Sequence, residues 1–378
     1  MSLLTKLLNR TRLAVSQPLS PAPAGDLQAR ISKTINDALT AAGLPPQAPV
    51  APPKAYRPPE PGVSPRPQAP RSGHARVAQQ PGTFAEHRFA HADGNCHYKL
   101  YIPARYTADA VTRYPLLVML HGCTQSPDDF AAGTRMNELA EQHGFLVAYP
   151  AQTAKANGSR CWNWFRPGDQ VRGRGEPALL AALTQDIAHH HAVDPDRIYV
   201  AGLSAGAAMA VILGATYPDV FAAVGSHSGL PYRAAHDMPS AFAAMNGGAV
   251  ARAPSANVSA EVLASVTPLI AFQGNRDKTV ASSNAETLVK SAIGAAAALS
   301  PESQVSKGEE IGRSYTRTTY TTAQGGPLVE FWEIHGAGHA WSGGSTAGSY
   351  TDAKGPDASA EMVRFFLQVR RQQLRAAA

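Results

Sequence analysis

From residue 84 onward, short apolar runs alternate with longer segments whose apolar positions recur every three or four residues. Tyr98–Ile102 alternates apolar with polar positions, as a half-buried strand does. Pro115–Leu120 (PLLVML) is continuously apolar, as expected of a strand covered on both faces. Ser126 is placed to cap a helix running to about His143, and Phe145–Tyr149 is the next strand. Pro177 to about His191 reads as a helix, with Leu179, Leu180, Leu183 and Ile187 on one side. Ile198–Ala201, Phe221–Val224, Leu269–Phe272 and Val329–Ile334 complete the strands. A last helix, about Ala358 to Leu374, carries Met362, Phe365, Phe366 and Val369 on one stripe. Strands alternating with helices predict an α/β fold, a mostly parallel sheet with helices on both faces. Residues 84–378 read as one catalytic-sized domain without internal repeats.

The first 83 residues follow other rules. Leu3, Leu4, Leu7 and Leu8 with Lys6 and Arg10 suggest a short basic amphipathic helix, and Leu27, Ile31, Ile35 and Leu39 a second. Residues 1–44 therefore read either as a surface-seeking segment for a membrane or polymer granule, or as a weakly ordered tail. Residues 45–83 are a Pro-rich linker, too poor in apolar side chains to offset the entropy of ordering. Charge divides at the same place. Residues 1–85 hold ten basic and three acidic residues, and the remainder is close to neutral. A near-neutral catalytic region argues against a nucleic-acid partner. No apolar stretch reaches the roughly 20 residues of a membrane span. Lys6, Arg10 and Arg12 interrupt the apolar run a signal peptide needs. Three cysteines, Cys96, Cys123 and Cys161, are too few for a disulfide scaffold and lack zinc-site spacing.

Chemistry enters at Gly202-Leu203-Ser204-Ala205-Gly206. This is G-x-S-x-G between a β-branched strand and an apolar helix, the setting of a nucleophile elbow. Small neighbours suit a serine held on a sharp strand-to-helix turn. A serine hydroxyl needs a base, and the base an orienting acid, in the order Ser, Asp or Glu, His. After Leu269–Phe272 comes Gln273-Gly274-Asn275-Arg276-Asp277, and after Val329–Ile334 comes His335-Gly336-Ala337-Gly338-His339. Asp277 and His339 thus fall on loops at the C-terminal edge of the sheet, where such sites lie. Their rivals are Asp219, Asp237 and His335, and Ser228 is a rival nucleophile or a residue lining the site. His189, His190 and His191 fan around a helix end and make a poor metal site. Acyl transfer also needs oxyanion donors. The backbone N–H of Ala205 is one, and the loop His121-Gly122-Cys123-Thr124-Gln125 supplies the other, assigned to Cys123.

HGCTQ, FAAGTRMNELAEQHGFLVAYPAQ, RCWNWF, GLSAGAAM, GNRD and GAGHAWSGG together resemble the polyhydroxybutyrate depolymerase family of esterases, close to feruloyl and acetylxylan esterases. The resemblance covers about residues 84–370. It implies the α/β-hydrolase fold, the triad Ser204, Asp277 and His339, and a serine carboxylesterase without metal or organic cofactor. It implies a substrate among short-chain polyhydroxyalkanoates, 3-hydroxybutyrate esters first, with feruloyl or acetylxylan esters as the alternative. A non-catalytic binding protein on the same fold is the alternative of another class. The resemblance also implies an extracellular or polymer-associated protein, whereas the absence of a readable signal peptide leaves a cytoplasmic, granule-associated one open. Cys123 and Cys161 can form a disulfide tying the aromatic loop to the site, or stay as two buried thiols. Trp162, Asn163, Trp164 and Trp341 are candidates for substrate contact, the tryptophans as a slot for the acyl chain or as core.

Overall fold

A computed structural model describes residues 82–109, 111–248 and 266–371. The amphipathic segments of residues 1–44 and the Pro-rich linker up to residue 81 lie outside the described residues. The chain enters a ten-stranded sheet at β1 (Thr83–His91), paired antiparallel with β2 (Gly94–Ile102). β3 (Tyr114–Leu120), β4 (Leu146–Ala151), β5 (Val193–Leu203), β6 (Ala223–His227), β7 (Leu269–Gly274) and β10 (Pro327–Ile334) form its parallel centre, in the order β4-β3-β5-β6-β7-β10. The hairpin β8 (Glu302–Glu310) and β9 (Arg313–Thr321) closes the far edge antiparallel. This is the α/β-hydrolase architecture.

Every residue of β3 is buried, and successive side chains serve opposite faces. Leu116, Val118 and Leu120 join the core under α3 (Gly175–His190) and α4 (Ala205–Thr216). Leu117 and Met119 join the core under α2 (Met136–His143) and α7 (Ala358–Phe366). A continuous apolar run is therefore the signature of a strand buried on both sides.

The sequence expectation departs from the structure in several places. The helix expected from Ser126 to His143 is two, α1 (Pro127–Thr134) and α2, broken at Arg135, whose φ is 53°. Arg135 is held there by its guanidinium on the Gly343 carbonyl (3.1 Å) and Asp357 (2.8 Å). The last helix ends at Phe366 rather than near Leu374, and residues 372–378 lie outside the described residues. The strand expected at Phe221–Val224 starts two residues later, because Phe221 still closes the turn after α4 through Tyr217. The β8–β9 hairpin and α6 (Ser283–Ala295) were absent from the pattern: almost all of β8 is exposed, so its residues carry no apolar alternation. Among the described residues no helix is long and apolar enough to cross a membrane.

Candidate active site

β5 runs straight into α4 with only Ser204 between them. Ser204 sits at φ 57°, ψ −119°, a conformation that a non-glycine residue adopts only when its surroundings impose it. The surroundings do so. A Cβ on Gly202 would lie 2.4 Å from the carbonyl carbon of Gly206, and one on Gly206 would lie 2.1 Å from Leu120 O. Only glycine at both positions lets strand, turn and helix close this tightly. The Ser204 N–H donates to His227 O (2.9 Å), which fixes the turn against β6.

Two neighbouring parallel strands, β7 and β10, deliver Asp277 and His339 from the loops that follow them. Asp277 Oδ2 lies 2.7 Å from His339 Nδ1. Asp277 Oδ1 accepts the backbone N–H groups of Thr279 and Val280, both at 2.8 Å. Burial pushes this carboxyl up, but His339 and the two backbone donors outweigh it and hold the pKa below the ordinary carboxylate value. With the carboxylate ionised, Nδ1 of His339 is the donor and Nε2 keeps its lone pair. His339 and Ser204 line the same cleft.

The competing groups are engaged elsewhere. Asp219 makes a two-point contact with Arg172. Asp237 caps α5 (Met238–Ala243) through a reciprocal pair with Ser240. His335 bonds Thr316 Oγ1 at 3.0 Å and Asn275 at 3.1 Å. Ser228 is fully buried and bonded to His227 Nδ1 at 3.1 Å. His190 turns to the Asp186 carbonyl, and no group of three or more potential ligands gathers to hold a metal among the described residues.

The loop after β3 is held from three sides. His121 is buried; its Nε2 accepts the Gln152 N–H (3.1 Å), so Nδ1 carries the proton and donates to Gly122 O (2.7 Å). Burial lowers the His121 pKa to about 4, which keeps the ring neutral at pH 7. Gln125 Oε1 accepts the Gly122 N–H at 2.9 Å. Trp162 Nε1 donates to His121 O at 3.1 Å. Cys123, next in the chain, is joined to Cys161 by a disulfide.

Of the four residues expected to touch substrate, only Trp164 lines the cleft. Trp162 is buried and spends its indole N–H on His121 O in the loop after β3. Trp341 is buried beside Phe130 and His227, with its N–H on Ser359 Oγ at 3.0 Å. Asn163 is buried over Glu176, donating its backbone N–H (2.7 Å) and its amide (2.5 Å) to that carboxylate. Burial, then Asp169 nearby, pushes Glu176 up to about 7 despite these bonds. The cleft of about 820 Å³, open to solvent at its mouth, is walled instead by Met238, Phe242 and Met245. Sequence reading missed these three. Their spacing of four and three residues is helical, but charged and small residues on either side mask it.

The family model for "Esterase PHB depolymerase" matches residues 96–300, more than half of the chain. The chain is 36% identical over 252 residues to poly(3-hydroxyalkanoate) depolymerase C of Paucimonas lemoignei, covering 65% of this chain and 58% of that protein. It is 28% identical over 296 residues to poly(3-hydroxybutyrate) depolymerase of Ralstonia pickettii, covering 74% and 59%. It is 35% identical over 130 residues to feruloyl esterase B of Neurospora crassa, covering 34% and 43%. The chain thus spans about three fifths or less of the length of each. Among solved structures, acetyl xylan esterase from Aspergillus awamori superposes with a TM-score of 0.57 at 17% identity, over 75% of this chain and 99% of that one, a likeness of fold.

Proposed function

Given that the chain belongs to the PHB depolymerase family of esterases, we propose that it is a serine carboxylesterase working through Ser204, His339 and Asp277. The observation that carries this reading is the 2.7 Å Asp277–His339 contact in the cleft that also holds the strained Ser204. His339 Nε2 takes the proton of Ser204 Oγ as the oxygen attacks the ester carbonyl. The carbonyl C–O π electrons move to oxygen, and the oxyanion is met by the N–H groups of Ala205 and Cys123. Ala205 is the first residue of α4, so its N–H has no partner inside the helix. In the trans peptide between Gly122 and Cys123, the carbonyl and the N–H point to opposite sides. Drawing Gly122 O toward His121 therefore turns the Cys123 N–H the other way, and Cys123 borders the cleft. Collapse of the intermediate expels the alcohol with the proton from His339, leaving an acyl-Ser204 ester. Water, deprotonated by His339, then releases the acid.

The proposed substrates are esters of 3-hydroxyalkanoic acids, 3-hydroxybutyrate oligomers among them, in line with the names of the two depolymerases it resembles. The test is a panel of hydroxybutyrate oligomers, methyl ferulate and acetylated xylan, run on wild type and Ser204→Ala, with covalent labelling by a phosphonate probe. Labelling and hydrolysis in the wild type that both vanish in Ser204→Ala are expected. Hydrolysis that survives the substitution overturns the nucleophile. A preference for ferulate or acetylxylan overturns the substrate class alone.

A further inference from the structure

α5 and the turn that follows it, Ala244–Gly248, place Met238, Phe242 and Met245 on one side of the cleft. All three are only half-buried, although nothing polar requires them to be at the surface. Trp164, Phe165 and Leu230, each buried, line the same cleft, and Met238 and Met245 pack against the core cluster they belong to. The wall is tied to the catalytic machinery. Ala281 N–H donates to Met245 O at 2.8 Å, and Ala281 follows directly on Thr279 and Val280, whose N–H groups hold Asp277. Asn284 Nδ2 fastens the neighbouring Ala244 O at 2.8 Å.

Two polar side chains bordering the cleft, Asn157 and Tyr350, already have partners. Asn157 donates its amide to Asn163 Oδ1 (3.1 Å) and accepts the Ser159 N–H (3.0 Å). The Thr124 hydroxyl donates to Cys123 O (2.6 Å), so the Tyr350 O–H spends its proton on Thr124 Oγ1 (3.0 Å). A phenolic or sugar hydroxyl placed beside these two would lose water and gain little. An acetyl group would be too short to cover the apolar side chains of this wall. Pockets with a lining of this kind bind ligands by burying hydrocarbon. Two thioethers among the aromatic rings let the wall adapt to a flexible chain rather than to one rigid shape.

We propose that the Met238–Phe242–Met245 wall reads an unbranched hydrocarbon chain, so that the preferred substrates are esters carrying an alkyl chain longer than four carbons. In a polyester of hydroxy acids the same side chain recurs on both sides of the scissile bond, so this points to 3-hydroxyalkanoates with medium-length side chains rather than methyl. The inference rests on the esterase reading above and can fail independently of it.

The test measures kcat/KM on p-nitrophenyl esters from acetyl to dodecanoyl, and on alkyl butyrates from methyl to octyl. A gain of about threefold to fourfold per methylene is expected until the wall is filled, with the optimum at six carbons or more in at least one series. Met245→Trp, which fills the wall, should cut the octanoyl-to-acetyl ratio at least tenfold. Phe242→Ala, which opens it, should move the optimum to a longer chain. Active-site titration with the phosphonate probe corrects each variant for folded enzyme. An optimum at acetyl to butyryl and a flat alkyl series in the wild type overturn the inference and leave the esterase intact. Unaltered length profiles in both variants overturn the assignment of the wall. Absence of hydrolysis on every ester in the wild type overturns the esterase reading itself.

Discussion

Asp277 turns its two oxygens to different partners: Oδ2 meets His339 Nδ1 at 2.7 Å and accepts the Gln273 amide at 3.2 Å, while Oδ1 is saturated by the N–H groups of Thr279 and Val280. The side chain is completely buried, so its orientation is set by these bonds and not by solvent. His339 is consequently aimed by a group that is itself locked by the backbone.

This division makes Asp277→Asn a sharp probe. The new amide will keep its oxygen on the two backbone donors and turn its NH2 toward His339. That forces Nδ1 to accept and moves the imidazole proton to Nε2, where it blocks the attack. The fold should survive, with kcat on p-nitrophenyl butyrate reduced by roughly four orders of magnitude. A loss below tenfold would show that Asp277 does not orient the base.

The Cys123–Cys161 bridge leaves Cys96 as the free cysteine among the three. Cys96 is buried, and burial pushes its thiol up to about 12, so it stays silent until the protein unfolds. Thiol titration of unreduced protein should give none in the folded state, one in guanidinium, and three after reduction. The bridge closes a loop across 38 residues, which corresponds to roughly 3–4 kcal/mol of stability on the chain-entropy estimate. Cys161→Ser should therefore lower the denaturation midpoint as well as kcat, because Cys123 loses its tether. Three thiols in guanidinium without reductant would sink the bridge.

The parallel centre of the sheet was readable because burial on both faces writes itself as unbroken apolar runs, Pro115–Leu120 above all. The elbow and the loops bearing Asp277 and His339 were readable because tight turns demand particular small residues at particular places. Other features leave no such mark. β8 is exposed, and hydrogen bonding to β9 rather than side-chain burial places it. Trp162 and Trp341 looked like substrate contacts because large aromatic residues serve pockets and cores alike. What separates the two uses is where the indole N–H finds its acceptor, Trp162 on His121 O and Trp341 on Ser359 Oγ. That acceptor is distant in the chain and invisible in the local pattern.

His121 offers a test of the proposed oxyanion loop that does not touch the proposed triad. His121→Phe preserves bulk while removing both bonds, leaving Gly122 O and the Gln152 N–H unpaired. If the ring aims the Cys123 N–H, kcat should fall by about 10²-fold, comparable to losing one oxyanion donor, with KM changed less than threefold. A rise in KM at constant kcat would instead mean that the loop shapes substrate binding.

Buried histidines and a buried acid pull the pH dependence of stability in opposite directions. His121 and His227 titrate near pH 4 and pH 3 in the folded protein, against 6.5 for a free imidazole, both lowered first by burial. As pH falls below 6.5 the unfolded chain takes up two protons that the folded one refuses, so stability is lost. Glu176 has the opposite sign. Its folded pKa near 7 lies above the free value of 4.5, so between those values the folded state holds the extra proton, and stability grows as pH falls. Two protons against one leave a net loss of stability between pH 6.5 and 4.5, to which His191, also lowered first by burial, adds. Glu176→Gln removes the opposing group, so its slope over the same window should be steeper. Urea midpoints at pH 6.5, 5.5 and 4.5 measure both slopes. A variant with the wild-type slope would mean that Glu176 titrates alike in both states, and a flat wild-type profile would remove the case for two neutral, buried imidazoles beside the site.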